Sequence, residues 1–189
     1  MKRSVAIALV AFFVLAQTML AQASPQPPKP GPAHKRLAYF AGTWTAEGEM
    51  KESPFGPGGK FSIKERNEWF TGGLFLVTHA DEKGPLGDAK GLSIMGYDPD
   101  QKVYTYYAIN SLGMAETAKG TVSGDTWTWT SDTKMGGKMV KGRYTGKEVS
   151  PTSYSFKFET MDGGKWTTIM EGTSNKVATE KAAKAAKAK

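Results

Sequence analysis

Glu65 and Asn67 lie two residues apart in the segment Phe61–Phe70, where alternation sets them on one face with Phe61, Ile63 and Trp69. A carboxyl and an amide among aromatic rings can orient a ligand or move a proton, provided that each is hydrogen-bonded or wetted. The opposite facing of this segment stays open on the sequence alone. His79, on the next segment, adds a group whose charge can change near neutral pH, although an ordinary strand or rim position would account for it equally. Met95, Tyr104 and Tyr106 follow and offer polarisable and aromatic wall. The candidate ligand-binding residues are therefore Trp69, Met95, Tyr104 and Tyr106 along a wall, with Glu65, Asn67 and His79 as polar contacts. If the chain were an enzyme, acid/base work would fall to Glu65, Glu116 or Arg143.

Other chemical motifs are incomplete. Gly91-Leu92-Ser93-Ile94-Met95 has half of a nucleophile elbow, but Met95 stands where a second Gly is needed and no helix follows. Ser93 reads instead as a strand surface residue. Pro54 to Lys60 ends like a phosphate loop, yet Pro54 and Phe61 occupy the places of its first Gly and its final Ser/Thr. Two His and no Cys do not make a typical zinc site without carboxylates from several strands. Asp98 and Asp100 flank a Pro and suit a turn better than calcium. No catalytic residue, metal ligand or cofactor is assigned. Tyr104, Tyr106, Trp127 and Trp129 each share a face with the aromatic two residues away, and core filling and ligand contact both remain open for them. Met50, Met95, Met114, Met135, Met139, Met161 and Met170 could form an adaptable lining.

The elements that must hold these groups are short and alternating. From Gly42 onward about ten segments are separated by Gly, Pro and Asp turns, which points to an antiparallel up-and-down (meander) arrangement. The expected strands are Thr43–Lys51, Phe61–Phe70, Leu74–Ala80, Ala89–Tyr97, Lys102–Asn110, Ala115–Ser123, Thr126–Ser131, Met139–Thr145, Ser153–Thr160 and Lys165–Thr173. Connections this short force neighbours to be antiparallel. Trp44, Ala46, Gly48 and Met50 share an inner face. Tyr154, Phe156 and Phe158 do the same near the C-terminus, and so do Trp166, Thr168 and Met170. Ahead of the strands, Ala33 to Ala41 reads as a short helix, with Leu37, Tyr39 and Phe40 able to close one end.

The two ends differ from this body. Residues 1–23 have the form of a secretory signal peptide: Lys2 and Arg3, an apolar run from Val5 to Leu15, and a small-x-small site at Ala21-Gln22-Ala23. Cleavage there predicts an exported, periplasmic or secreted chain beginning at Ser24. Residues 24–32 form a Pro-rich linker, residues 33–175 one folded domain, and residues 176–189 an Ala/Lys-rich tail that is disordered or marginally helical. The formal charge of +7 resides in these ends, and the body from Leu37 to Asn175 carries −2. A nucleic-acid groove is not indicated, whereas the Lys-rich tail could make weak contact with anionic envelope surfaces. With no Cys in the chain, stability must come from a packed core, and a chain near this size buries roughly 70% of its unfolded surface.

Gly42-Thr43-Trp44 after a helical turn is similar to the G-x-W motif that opens lipocalins and related calycin barrels. The combination of AHKRLAYFAGTWTAEGE, EWFTGG and GLSIMGYDPDQKVYTYYAINSLG resembles a bacterial family of exported domains of unknown function with a lipocalin-like barrel. The resemblance spans roughly Ala33 to Thr173, and Ile94-Met95-Gly96-Tyr97-Asp98-Pro99 is its most specific part. It implies an all-β, antiparallel barrel of about ten strands with a short N-terminal helix, Gly42 and Trp44 being structural. Calycins commonly place an Arg from the last strand over that Trp. Here no Arg follows Arg143, and Lys176 is the available substitute. Related small barrels that bind haem use a His near the C-terminus, a place that neither His34 nor His79 occupies.

The leading functional reading is an exported, non-enzymatic barrel holding a small hydrophobic or amphipathic molecule in its lumen. Its alternatives are an envelope interaction module with a filled barrel, and an enzyme using lumen carboxylates. An apolar cavity above roughly 300 Å3 would favour binding. A solid core would favour the module, and buried carboxyls with strongly raised pKa values would favour catalysis.

Overall fold

Two of the turns show their local causes directly. Gly163 and Gly164 take positive φ (54° and 83°) to make a two-residue hairpin. In the turn after Tyr97, the Asp98 carboxylate accepts the backbone N–H groups of Asp100 and Gln101, both at 2.9 Å, and Lys102 follows at φ 55°. The backbone donors beside it hold the Asp98 carboxyl below its usual range. This aspartate shapes a turn, as its spacing predicted.

The computed structural model describes residues 28–135 and 137–178, apart from the side chains of Met135 and Asp162. The expected signal peptide and most of the Lys-rich tail lie outside the described residues. Helix α1 (Pro32–Arg36) and a 3-10 turn (Leu37–Tyr39) precede ten strands. These are β1 (Gly42–Met50), β2 (Gly59–Trp69), β3 (Leu76–Lys83), β4 (Ala89–Asp98), β5 (Val103–Asn110), β6 (Ala115–Ser123), β7 (Thr126–Met135), β8 (Lys138–Ser150), β9 (Ser153–Asp162) and β10 (Lys165–Lys176). Every strand pairs with its neighbours in sequence, and β1 also pairs with β10, closing an antiparallel barrel. At the closing seam Gly48 faces Gly172. A Cβ on Gly48 would collide with the Glu171 carbonyl and the Phe61 ring, so the seam needs a residue without one.

The N-terminal turn plugs one end. Leu37 and Trp44 are almost fully buried (0% and 1% exposed), and Phe40 packs between Trp127 and Tyr154. The Trp44 indole N–H donates to the Phe40 carbonyl at 2.8 Å, and the Tyr39 hydroxyl bonds to the carbonyls of Ser150 and Ser153. Lys176 pairs with Trp44 in register and sets its ammonium 5.0 Å from the indole ring, also donating to the Tyr39 carbonyl. The barrel end that calycins commonly close with an Arg is closed here by a Lys. Arg36 makes a second latch: it lies 5.0 Å from the Trp127 ring and pairs with Glu148, which also accepts the Trp127 indole N–H at 2.6 Å.

Several expectations need correction. The third strand continues beyond Ala80 to Lys83, and β7 and β8 extend to Met135 and Ser150. In β10 the pairing register slips between Thr168 and Met170. This bulge turns both Ile169 and Met170 toward the interior. Trp166 is thereby reversed from its expected inward direction and lies on the outer surface under the Arg143 guanidinium, 4.2 Å away.

Candidate ligand cavity

Above the plug, the inner faces of the strands enclose a cavity of about 380 Å3. Its floor is formed by Phe40, Asn67 and Tyr154. Its middle is walled by Glu65, Met95, Tyr106, Trp129 and Tyr144. At the mouth stand Met50, Phe55, Leu86, Ile109 and Met114, of which Leu86, Ile109 and Met114 are two-fifths exposed or more. The wall is predominantly apolar and is broken by a few polar groups, the composition of a small-molecule site.

Alternation positions those polar groups. Along β2, Phe61, Ile63, Glu65 and Asn67 all turn inward, so the facing read from the sequence holds. Trp69 continues the same phase but does not reach the cavity. Gly42 opposite Asn67 is the last β1–β2 pair, so β2 runs past the floor and leaves Trp69 37% exposed beyond it. His79 is also outside: Thr78 and Ala80 line the cavity, and the residue between them faces solvent. Tyr104 lies beneath the cavity, buried with Leu37 and Trp127, and its hydroxyl donates to the Ala33 carbonyl at 3.3 Å. The four-aromatic set is thus divided. Tyr104 and Trp127 fill the base, while Tyr106 and Trp129 face the lumen. Of the methionines, Met50, Met95, Met114 and Met170 line it, and Met139 is exposed.

Arg143, one of the acid/base candidates, projects outward and binds Glu159 at 2.8 Å. Glu116, another, does line the lumen and accepts a hydrogen bond from Ser131 at 2.8 Å. Ser93 is not a surface residue; it is buried and turned inward beside Tyr106. Glu82 and Ser131 are cavity residues that the sequence reading missed. Their signal was present in the uninterrupted alternations Leu76-Thr78-Ala80-Glu82 and Trp127-Trp129-Ser131. The charged run Asp81-Glu82-Lys83 before Gly84 reads as a turn, which hid the first of them.

Burial sets the chemistry of these groups. The Glu65 carboxyl is pushed up to about 7, chiefly because it is removed from water. The nearby Asn67 amide pulls it partly back, and the charge of Glu82 raises it further. Burial also raises Glu82, which Asn110 partly offsets. The phenols of Tyr106, Tyr144 and Tyr154 are all raised by burial and therefore remain neutral hydrogen-bonding groups. Asn67 donates its amide N–H to the Phe40 carbonyl at 2.9 Å, while its own oxygen is buried without a partner. Among the described residues no three His, Cys, Asp or Glu side chains converge as a metal-ligand set. The glutamates are spread around the lumen.

Residues 29–176 match a family described as "Protein of unknown function (DUF1579)". The chain belongs to the DUF1579 family. No curated protein matches its sequence. Among solved structures, this DUF1579 barrel resembles Rv2717c from M. tuberculosis with a TM-score of 0.56 and 11% identity, over 78% of this chain and 99% of that one. It also resembles the S-type phycobiliprotein lyase CPES from Guillardia theta with a TM-score of 0.56 and 8% identity, over 78% of this chain and 94% of that one. At these identities the likeness is one of fold: an all-β, lipocalin-like barrel, as the G-x-W opening implied.

Proposed function

We propose that this DUF1579 protein is an exported barrel that binds one small, largely apolar molecule in its lumen. The observation that carries this reading is the cavity of about 380 Å3, a volume in the usual range of ligand sites. Four methionines give its wall the capacity to repack around different shapes. A barrel acting only as an interaction module has no need of this space, since an empty cavity of such size costs stability. The fold shared with a phycobiliprotein lyase fits a barrel scaffold and names no ligand for this chain.

The test is titration with N-phenylnaphthylamine, an uncharged aromatic probe that brightens in apolar surroundings. The expected result is saturable binding of one probe per chain, abolished by Ala108→Phe, which fills the lumen, with the thermal transition retained. Absence of binding to the wild type, or unchanged binding to the filled variant, would overturn the reading. Native mass spectrometry of protein taken from its own host would identify a retained ligand. The intact mass of the same sample tests export, with a mature chain beginning at Ser24 as the expected result.

One observation favours a second reading. A carboxyl with a pKa of about 7 is poised to exchange protons near neutral pH, so Glu65 could act as an acid or base on a bound molecule. Recovery of chemically altered ligand after incubation with the wild type but not with Glu65→Gln would distinguish catalysis from binding.

A further inference from the structure

The lumen is acidic without compensation. Glu65, Glu82 and Glu116 line it, and among the described residues no Lys, Arg or His side chain does. Carboxylates elsewhere in the barrel are treated differently: the partly buried Glu148 holds Arg36, and the buried Glu159 holds both Arg143 and Lys157. The titratable groups sharing the lumen with Glu65 are Glu82 from β3, Tyr106 from β5, Glu116 from β6, Tyr144 from β8 and Tyr154 from β9. All are acids or neutral phenols, so none supplies a counter-charge.

Beside Glu65 the Asn67 side-chain oxygen is buried, belongs to a residue that lines the cavity, and accepts nothing. Its orientation is determined by its neighbour. The amide nitrogen donates to the Phe40 carbonyl, and the reversed amide would set two acceptors against each other. The deep end of the lumen therefore offers two acceptors, one of them ionisable, to whatever enters, and such groups are costly to leave unmatched.

We infer that the lumen is shaped for an amphiphile carrying a protonated amine, its ammonium lodged against the Glu65 carboxylate and the Asn67 oxygen and its apolar body lying toward the methionine-rich mouth. This rests on the ligand-binding reading above and names its substrate class. An ammonium is donor only and matches both acceptors at once. A fatty carboxylate would add a further negative charge to the glutamates with no cation in reach. An alcohol can satisfy one acceptor but leaves the charge uncompensated.

The experiment is displacement of N-phenylnaphthylamine at pH 8 by three probes of one chain length: octylamine, octanol and octanoate. Octylamine is expected to compete at about tenfold lower concentration than octanol, as a charge-assisted hydrogen bond allows, and octanoate should be the weakest. Glu65→Gln should bring octylamine level with octanol, each read relative to that variant's own affinity for the uncharged probe. Glu82→Gln should reduce the amine preference less. Equal competition by the three probes, or an amine preference that survives in Glu65→Gln, would overturn the inference while the ligand-binding reading stands. Failure of the uncharged probe itself to bind would overturn both.

Discussion

The two ends of the barrel solve the problem of buried polar groups in opposite ways. At the plugged end the large polar side chains have partners: the Trp44 and Trp127 indoles donate to Phe40 and Glu148, the Tyr39 hydroxyl reaches two carbonyls, and Lys176 and Arg36 cover the aromatic rings. In the lumen, a glutamate and an amide oxygen sit in apolar surroundings without a cation or a complete set of donors. Elsewhere the chain gives its little-exposed carboxylates, Glu148 and Glu159, cationic partners. Their omission from the lumen marks it as the part of the molecule shaped by something other than folding.

Removing the centre of the plug should produce the largest effect. Trp44 is 1% exposed and touches Tyr39 and Tyr154. Trp44→Ala should destabilise the barrel by about 3–5 kcal/mol, the usual cost of truncating a buried aromatic residue. Denaturant unfolding followed by circular dichroism checks this. A loss below about 1 kcal/mol would show that the two ends do not differ in the way described.

The opposite change is expected from the lumen. The Glu65 carboxyl has a folded-state pKa of about 7 against an ordinary value of 4.5. The native state therefore holds its proton more tightly than the unfolded chain does. Below pH 4.5 both states are protonated and nothing is lost. Between pH 4.5 and 7 stability falls as the unfolded chain alone ionises, and above pH 7 the full penalty persists, on the order of 3 kcal/mol. Glu65→Gln should accordingly be more stable than the wild type at pH 8, similar to it near pH 4, and flatter between them. Thermal melts across this range measure the difference. A variant that is less stable at pH 8 would mean that the carboxylate has a native counter-charge.

Much of this contrast was legible in the sequence. Gly42-Thr43-Trp44 after an apolar turn specified the plugged barrel, and alternation in Phe61–Phe70 put Glu65 and Asn67 on the inner wall. What escaped detection depended on where the strands stop or change phase. Trp69 has the right parity but overshoots the floor, a matter of strand length relative to β1. His79 was chosen for its chemistry, although Thr78 and Ala80 hold the inward parity. The bulge at Ile169 reversed Trp166, and single-sequence patterning carries no signal for an inserted residue. Glu82 was lost because its charged neighbourhood resembles a turn more than the end of a strand.

A smaller effect tests the second latch of the plug. Glu148 joins the Arg36 guanidinium to the Trp127 indole, a ring that is 1% exposed. Glu148→Ala leaves the indole N–H without its acceptor and should cost about 1–3 kcal/mol. Glu148→Gln keeps an acceptor for the indole and loses only the ion pair with a partly exposed Arg36, so most of the stability should return. If both variants lose the same amount, the charge rather than the indole bond is what holds the latch.

The smallest expected effect separates the Lys closure from the Arg that calycins commonly use. Lys176 lies over Trp44 and donates to the Tyr39 carbonyl, but burial also lowers its pKa, so part of the attraction to the ring is offset by desolvation. Lys176→Met should preserve the stem's packing and cost only about 0.5–1 kcal/mol, the scale of a partly exposed cation–π contact. Lys176→Arg tests the geometry directly. A planar guanidinium can stack on the indole and is more weakly hydrated than an ammonium, so this variant should equal or slightly exceed the wild type in melting temperature. A clear loss with Arg would show that the backbone around Gly42 is fitted to the slimmer ammonium, since the Lys176 side chain already leaves little room beside that glycine.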